Sequence, residues 1–152
     1  MTSADQQIAF IGAGNVATHM AKALRNAGMK IKAVYSHTLA SAQTLAAEVE
    51  ADAIDDIADL PEANIFVYCV KDDVLPEIAA INSLRFPNAL HIHTSGSTPA
   101  NVFLNQWHGV IYPMQTFSKN AALNFSEVRC YIEGSNRQSL KMIDNLTHSL
   151  TS

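Results

Sequence analysis

The chain has 152 residues, 48% of them hydrophobic and 16% charged, with a formal net charge of −4. That is long enough for one domain with a proper core, in the composition of an ordinary soluble globular protein. The negative balance without any basic cluster gives nucleic acid no footprint, the longest apolar runs are strand-sized rather than membrane-spanning, and the start "MTSADQQ" lacks the basic residues and apolar stretch of a secretory signal.

In chain order, residues 7–12 (QIAFIG) read as an apolar strand. Residues 15–27 carry Val16, Met20, Ala23, Leu24 and Ala27 at helical spacing, with Gly28 as the stop. Residues 30–36 alternate as a strand, and 38–49 return to helix with Thr38 as a plausible N-cap. The continuous apolar run at 64–71 predicts a strand buried on both faces. Residues 72–82 follow as a helix, with Asp72 as its cap and Pro76 in the first turn. Strands are expected at 89–94, 109–114 and 129–134, and a helix at 135–150 with Leu140, Ile143, Leu146 and Leu150 on one side. This alternation favours a three-layer α/β fold, a mainly parallel, doubly wound sheet with helices on both faces, in a single domain over 1–152. Residues 115–128 show no clear pattern, and a loop of that length in a compact domain is often functional.

The most informative stretch is "IGAGNVA", residues 11–17, between the first strand and the first helix. It fits the dinucleotide fingerprint in its expected context. Gly12 permits the tight turn, Gly14 lets a pyrophosphate approach the backbone, and Ala17 lets the helix pack close to the strand. The helix N-terminus then faces the phosphates. A methyl-donor nucleotide is a weaker rival, because Phe10–Ile11 and Val16 stand where such a site usually has an acid and a third glycine. An NAD-preferring site places a carboxylate about 20 residues past the glycines, whereas no acid occurs between Asp5 and Glu48. The second strand ends in "YSHT", whose hydroxyls and imidazole at Ser36, His37 and Thr38 suit a 2′-phosphate. NADP is therefore favoured over NAD.

Ligands in open parallel sheets sit beyond the carboxyl ends of the strands. Those ends are "CVKDD" (69–73), "HTSGS" (93–97) and "YPMQTF" (112–117). Val70, Lys71 and Thr94 are candidates to line the cofactor. Ser95, Ser97 and Tyr112, with Lys119 on the unpatterned loop, are the side chains nearest a reacting centre. His91 and His93 share a strand face at a spacing that can bind metal, but no third ligand is evident and no metal is assigned. His93, nearer the strand end, is the better of the two for a polar role at the site, and His19 reads as a surface or packing residue. Cys69 and Cys130 fall in apolar runs and read as buried, reduced thiols of a cytoplasmic protein. Seven of the fourteen acids lie between Glu48 and Glu62, which reads as a solvated edge away from the phosphates.

Taken together, "IGAGNVATHMAKAL", "VYSHT", "VKDD", "HTSGS" and "YPMQTFSK" resemble a bacterial Rossmann-like family of uncharacterised function. That family is grouped with NADP oxidoreductases that use the deazaflavin coenzyme F-420, and is related to pyrroline-5-carboxylate reductase and more distantly to prephenate dehydrogenase. The resemblance implies that Gly12, Asn15 and Val16 meet the pyrophosphate and that Ser36, His37 and Thr38 surround the 2′-phosphate. Relatives commonly carry arginine where this chain has His37, and a histidine is charged only part of the time near neutral pH, so binding of NADP should be tighter at pH 6 than at pH 8. Tyr112 stands where prephenate dehydrogenase-like proteins have the histidine of a His-Pro-Met segment, so no acid/base role carries over. Relatives also have a second, helical domain that builds a homodimer and closes over a small-molecule substrate. The resemblance implies such a domain beyond Ser152. The reading is an NADP(H)-binding domain of an oxidoreductase, and the alternative is a non-catalytic module that senses redox state through the same nucleotide.

Overall fold

A computed structural model of the chain describes residues 6–115 and 125–151. The first half runs β1 (Gln7–Ile11), α1 (Asn15–Asn26), β2 (Lys30–Tyr35), α2 (Leu39–Val49) and β3 (Asp52–Ile54). The second half runs β4 (Ile65–Tyr68), α3 (Leu75–Arg85), β5 (Leu90–His93), β6 (His108–Pro113), β7 (Cys130–Gly134) and α4 (Arg137–Thr151). The sheet order is β3-β2-β1-β4-β5-β6-β7, parallel throughout except for β7, which returns antiparallel to β6. The chain winds outward from β1 to β3, then starts again beside β1 at β4. The strand order therefore reverses between β1 and β4, the place where this architecture opens a crevice.

Helices α1, α2 and α4 cover one face of the sheet and α3 the other, giving the expected three layers. The larger core holds Ile8, Phe10, Met20, Leu24, Val67, Ile92 and Ile143, all fully buried. The second core, under α3, holds Ile11, Phe66, Tyr68, Leu75 and Phe103. Each such side chain contributes about 1.5–3 kcal/mol of transfer free energy. Helix α1 stops at Gly28, whose φ of +95° needs glycine. The Gly28 and Met29 amides donate to the carbonyls of Arg25 and Leu24, so the last turn closes on itself.

Three expectations are corrected. The three-residue edge strand β3 lies inside the acid-rich segment, where its two apolar residues are too few to announce it. Helix α3 starts three residues later than expected. Its N-cap is Val74, without a side-chain cap, while Asp72 accepts a hydrogen bond from Ser97 instead. Leu140 is 41% exposed, and the small Ser139 takes the buried position beside Ile143 on α4. The acidic segment is the solvated edge expected, its Glu48 and Glu50 exposed as they pair with Lys22 at 3.0 Å and Arg25 at 2.9 Å. Such exposed pairs contribute at most about 1 kcal/mol each.

His91 is fully buried under α3, stacked on Phe66 with ring centroids 5.1 Å apart. Its Nε2–H donates to the Phe86 carbonyl at 2.8 Å, so Nδ1 is the acceptor for the Tyr68 hydroxyl at 2.7 Å. Both nitrogens are used by the fold. Burial disfavours the charged ring and, against the pull of the Phe86 carbonyl, lowers its pKa from 6.5 to about 4. The unfolded chain protonates first as pH falls, so stability present above pH 6.5 is lost on the way to pH 4. The stability gap between the native chain and His91→Gln, measured by urea denaturation, should shrink by about 3 kcal/mol between pH 7 and pH 4. Parallel curves would show that His91 does not titrate in this way.

Candidate functional site

At the end of β1 the chain turns at Gly12 with φ +115°. The Gly12 amide donates to the Tyr35 carbonyl at 2.8 Å, and the Cys69 amide donates to the Ile11 carbonyl at 2.7 Å. A Cβ on Gly12 would lie 2.4 Å from the Cys69 carbonyl oxygen. Gly12 is thus required twice, by its dihedral and by the backbone of β4 lying against it. Gly14 differs. It is the N-cap of α1 with φ −82°, and a Cβ built there meets nothing within 4 Å. The protein's own packing does not demand a glycine at 14, but a ligand lying on the backbone would.

That open space belongs to a cleft of about 630 Å³ at the β1/β4 switch point. Its floor is Gly12, Ala13, Gly14 and Cys69, and Val70 and Lys71 follow from the end of β4. The far end is Tyr35, Ser36, His37 and Thr38, at the end of β2. No side chain caps the N-terminus of α1, so its first turn presents peptide N–H groups at the positive end of a twelve-residue helix. Ala17 is fully buried, as close helix–strand packing requires, and Thr18 Oγ1 donates to the Gly14 carbonyl at 2.7 Å, holding the turn. Asn15 is exposed on the first turn and Val16 packs against the core; neither lines the cleft wall.

At the β2 end, Ser36 is buried and its Oγ accepts the Thr38 amide at 3.3 Å, so it braces the start of α2. His37 and Thr38 are exposed, and Thr38 makes no side-chain cap bond with α2, which leaves its hydroxyl available. No residue between Glu48 and Glu62 lines the cleft; the acidic lining residue is Asp73. Ser41, Val74 and Ile78 complete the wall and were not foreseen, because they come from helix starts whose approach to the strand ends is a matter of tertiary packing. The Cys69 thiol is pushed up to about 12 by burial, which makes it a lining atom rather than a nucleophile.

Ser95, Ser97 and Tyr112 come together in a second cleft, of about 490 Å³, beyond the ends of β5 and β6. Its other walls include Met114, Tyr131 and Glu133. Antiparallel pairing sets Tyr112 opposite Tyr131 and Val110 opposite Glu133, and that strand pairing is not readable from one sequence. Tyr112 lies flat against Gly96, where a Cβ would meet its ring at 2.7 Å. His93 is buried beneath the loop. Its Nδ1 accepts the Ser95 amide at 3.1 Å, so Nε2–H donates to the Pro99 carbonyl at 3.2 Å. Desolvation lowers its pKa, so this is a neutral, positioning histidine rather than a group at the site surface. Thr94 Oγ1 donates to the Tyr68 carbonyl at 3.2 Å and ties β5 to β4. Ser97 of the second cleft donates from Oγ to Asp72 Oδ2 at 2.8 Å, and Asp72 stands in the chain between Lys71 and Asp73 of the first. Lys119 lies outside the described residues. Cys69 and Cys130 are free thiols, and no three His, Cys, Asp or Glu side chains gather as a metal site among the described residues. No helix among them is long and apolar enough to cross a membrane.

Residues 7–90 match the family described as NADP oxidoreductase, coenzyme F420-dependent. A Bacteroides fragilis structure provisionally assigned as an NADP oxidoreductase superposes with a TM-score of 0.91 at 38% identity, over 98% of this chain and 59% of that one. The chain belongs to this family of nicotinamide-dinucleotide oxidoreductases. Prephenate dehydrogenase from A. aeolicus, solved with hydroxyphenyl propionate and NAD+, shares the fold with a TM-score of 0.82 at 15% identity, over 95% of this chain and 57% of that one. Synechocystis arogenate dehydrogenase does so with a TM-score of 0.79 at 14% identity, over 95% and 57%. The chain thus spans less than two thirds of each of these relatives. No curated protein matches it.

The two glycines should separate on substitution. Gly12→Ala forces apart β1 and β4 and should cost about 3 kcal/mol or more in denaturation experiments. Gly14→Ala should stay within about 1 kcal/mol of the native chain. Equal costs at the two positions would contradict the geometry.

Proposed function

We propose that this chain binds NADP(H) in the cleft at the β1/β4 switch point, as the cofactor-binding part of an oxidoreductase acting on a small molecule. The observation that carries this is Gly14. Nothing among the described residues occupies the place of its missing side chain, yet the position opens a helix and faces the cleft. The diphosphate lies on the amides at the start of α1, in line with the helix dipole. The adenosine end lies toward β2, with Val74 and Ile78 offering an apolar face to the ring. Ser36, His37 and Thr38 receive the 2′-phosphate, and Lys71 adds positive charge at the cleft. The missing carboxylate at the end of β2 supports NADP over NAD.

When bound, the nicotinamide supplies or accepts a hydride. The residues of this chain bind and orient. Ser95 and Ser97 sit beyond β5, where the nicotinamide end of an extended dinucleotide reaches, and Asp72 fixes the Ser97 hydroxyl. A homodimer, implied by the family resemblance, and a cytoplasmic location, in keeping with two free cysteines, belong to the same reading.

Calorimetric titration tests it. NADP+ should bind about tenfold or more tightly than NAD+, the worth of one charge-assisted phosphate contact. Gly14→Ala should lose about a hundredfold or more while remaining folded, as a displaced backbone–phosphate contact would. His37→Ala should weaken NADP+ binding and leave NAD+ binding unchanged, since the side chain faces the 2′-phosphate that NAD+ lacks. Failure of both nucleotides to bind would remove the proposal, and an NADP+ affinity unchanged in His37→Ala would remove His37 from the phosphate site.

A further inference from the structure

The second cleft has a chemical character of its own. On β6 and β7 the side chains alternate. Gly109, Ile111 and Ile132 face α4, while Val110, Tyr112, Tyr131 and Glu133 turn to the opposite face. Val110 is buried at the base. Above it Tyr112 and Tyr131 stand side by side, 37% and 52% exposed, with Met114 53% exposed at the rim. These are large apolar groups left partly open around a concave space, an uncommon use of aromatic surface. The Tyr112 ring is seated on Gly96 and so has a fixed orientation.

The charges point one way. Glu133 is the one charged residue among the described lining residues, and the Tyr131 hydroxyl donates to it at 3.4 Å. The nearest carboxylate on the cofactor side, Asp72, is reached through Ser97. No lysine or arginine lines this cleft among the described residues, whereas Lys71 lines its neighbour. Two phenol faces, a thioether and a carboxylate attract a cation and repel an anion.

We propose that the second cleft receives a small organic cation, a positively charged nitrogen on a compact apolar body. Glu133 holds the charge, Tyr112 and Tyr131 hold the body, and the Ser95–Ser97 loop sets its distance from the cofactor cleft. This rests on the oxidoreductase reading for its meaning as a substrate site, though not for the binding itself. Glu133 and Tyr131 then determine specificity, because a carboxylate ligand would meet Glu133 without a compensating cation.

Three probes of one shape and different charge test it: phenethylammonium, phenethyl alcohol and 3-phenylpropionate. Binding is read by NMR from the ring signals of Tyr112 and Tyr131, with calorimetric titration of NADP+ on the same sample. The ammonium should shift both rings and bind about tenfold or more tightly than the alcohol, as paired charge and ring contacts imply. The carboxylate should bind weakest. Glu133→Gln, at an exposed position, should abolish the preference for charge and leave NADP+ affinity unchanged. Carboxylate binding as tight as ammonium, ammonium shifts confined to other residues, or a preference that survives Glu133→Gln would each overturn the proposal. The two readings fail separately. Ammonium binding without NADP+ uptake leaves the cation cleft and removes the oxidoreductase, and NADP+ uptake without ammonium binding does the reverse.

Discussion

Everything at the candidate site depends on how closely two backbones approach. The ends of β1 and β4 are stitched together by the Cys69 amide on the Ile11 carbonyl, and β1 to β2 by the Gly12 amide on the Tyr35 carbonyl. Between them only a hydrogen fits on Gly12, because the Cys69 carbonyl already occupies the place of a side chain. This contact brings the start of α1 over the switch point of the sheet. A bulkier residue would separate the strands, tilt the helix and close or widen the cleft. The positive φ and the tight approach are therefore one constraint that couples the fold to the site.

Beyond that contact the carboxyl edge of the sheet divides into two environments. The first has helix amides, hydroxyls, an imidazole and Lys71, a set suited to phosphate. The second has phenol rings, a thioether and Glu133. The Asp72–Ser97 bond joins the loops that carry them. Beneath both, neutral histidines fix the scaffold. His91 locks β5 to the Phe86 turn and to Tyr68, and His93 fixes the serine loop through its Ser95 and Pro99 contacts. Two histidines at metal-like spacing thus serve the scaffold, each ring nitrogen matched to a backbone group or to the Tyr68 hydroxyl.

Much of this was legible from residue order alone. The alternation of strand and helix patterns set out the layers, because a strand buried on both faces leaves a continuous apolar stretch such as "IFVY". The glycine turn, Lys71 and the "YSHT" end were legible because their chemistry is local. What escaped depends on tertiary contact. The edge strand Asp52–Ile54 is too short and too acidic to carry an alternating signal, and it forms because β2 offers it carbonyls and amides. Asp72 has the type and place of a helix cap, yet Ser97 competes for it from 25 residues away. Tyr131 and Glu133 became site residues only when β7 turned back along β6, a pairing that no local pattern announces. Val74 and Ile78 look like core positions of a helix, and they line a cleft because α3 begins at its rim.

The most direct measurement is an NMR titration of the nitrogen-15-labelled chain with NADP+, following backbone amides. Saturable shifts should concentrate at Ala13, Asn15 and Val16 on the glycine turn and at Ser36, His37 and Thr38 at the end of β2, all moving with one affinity. A saturable response that leaves the glycine turn untouched, or no saturable response at all, would contradict the placement of a dinucleotide at the meeting of β1 and β4.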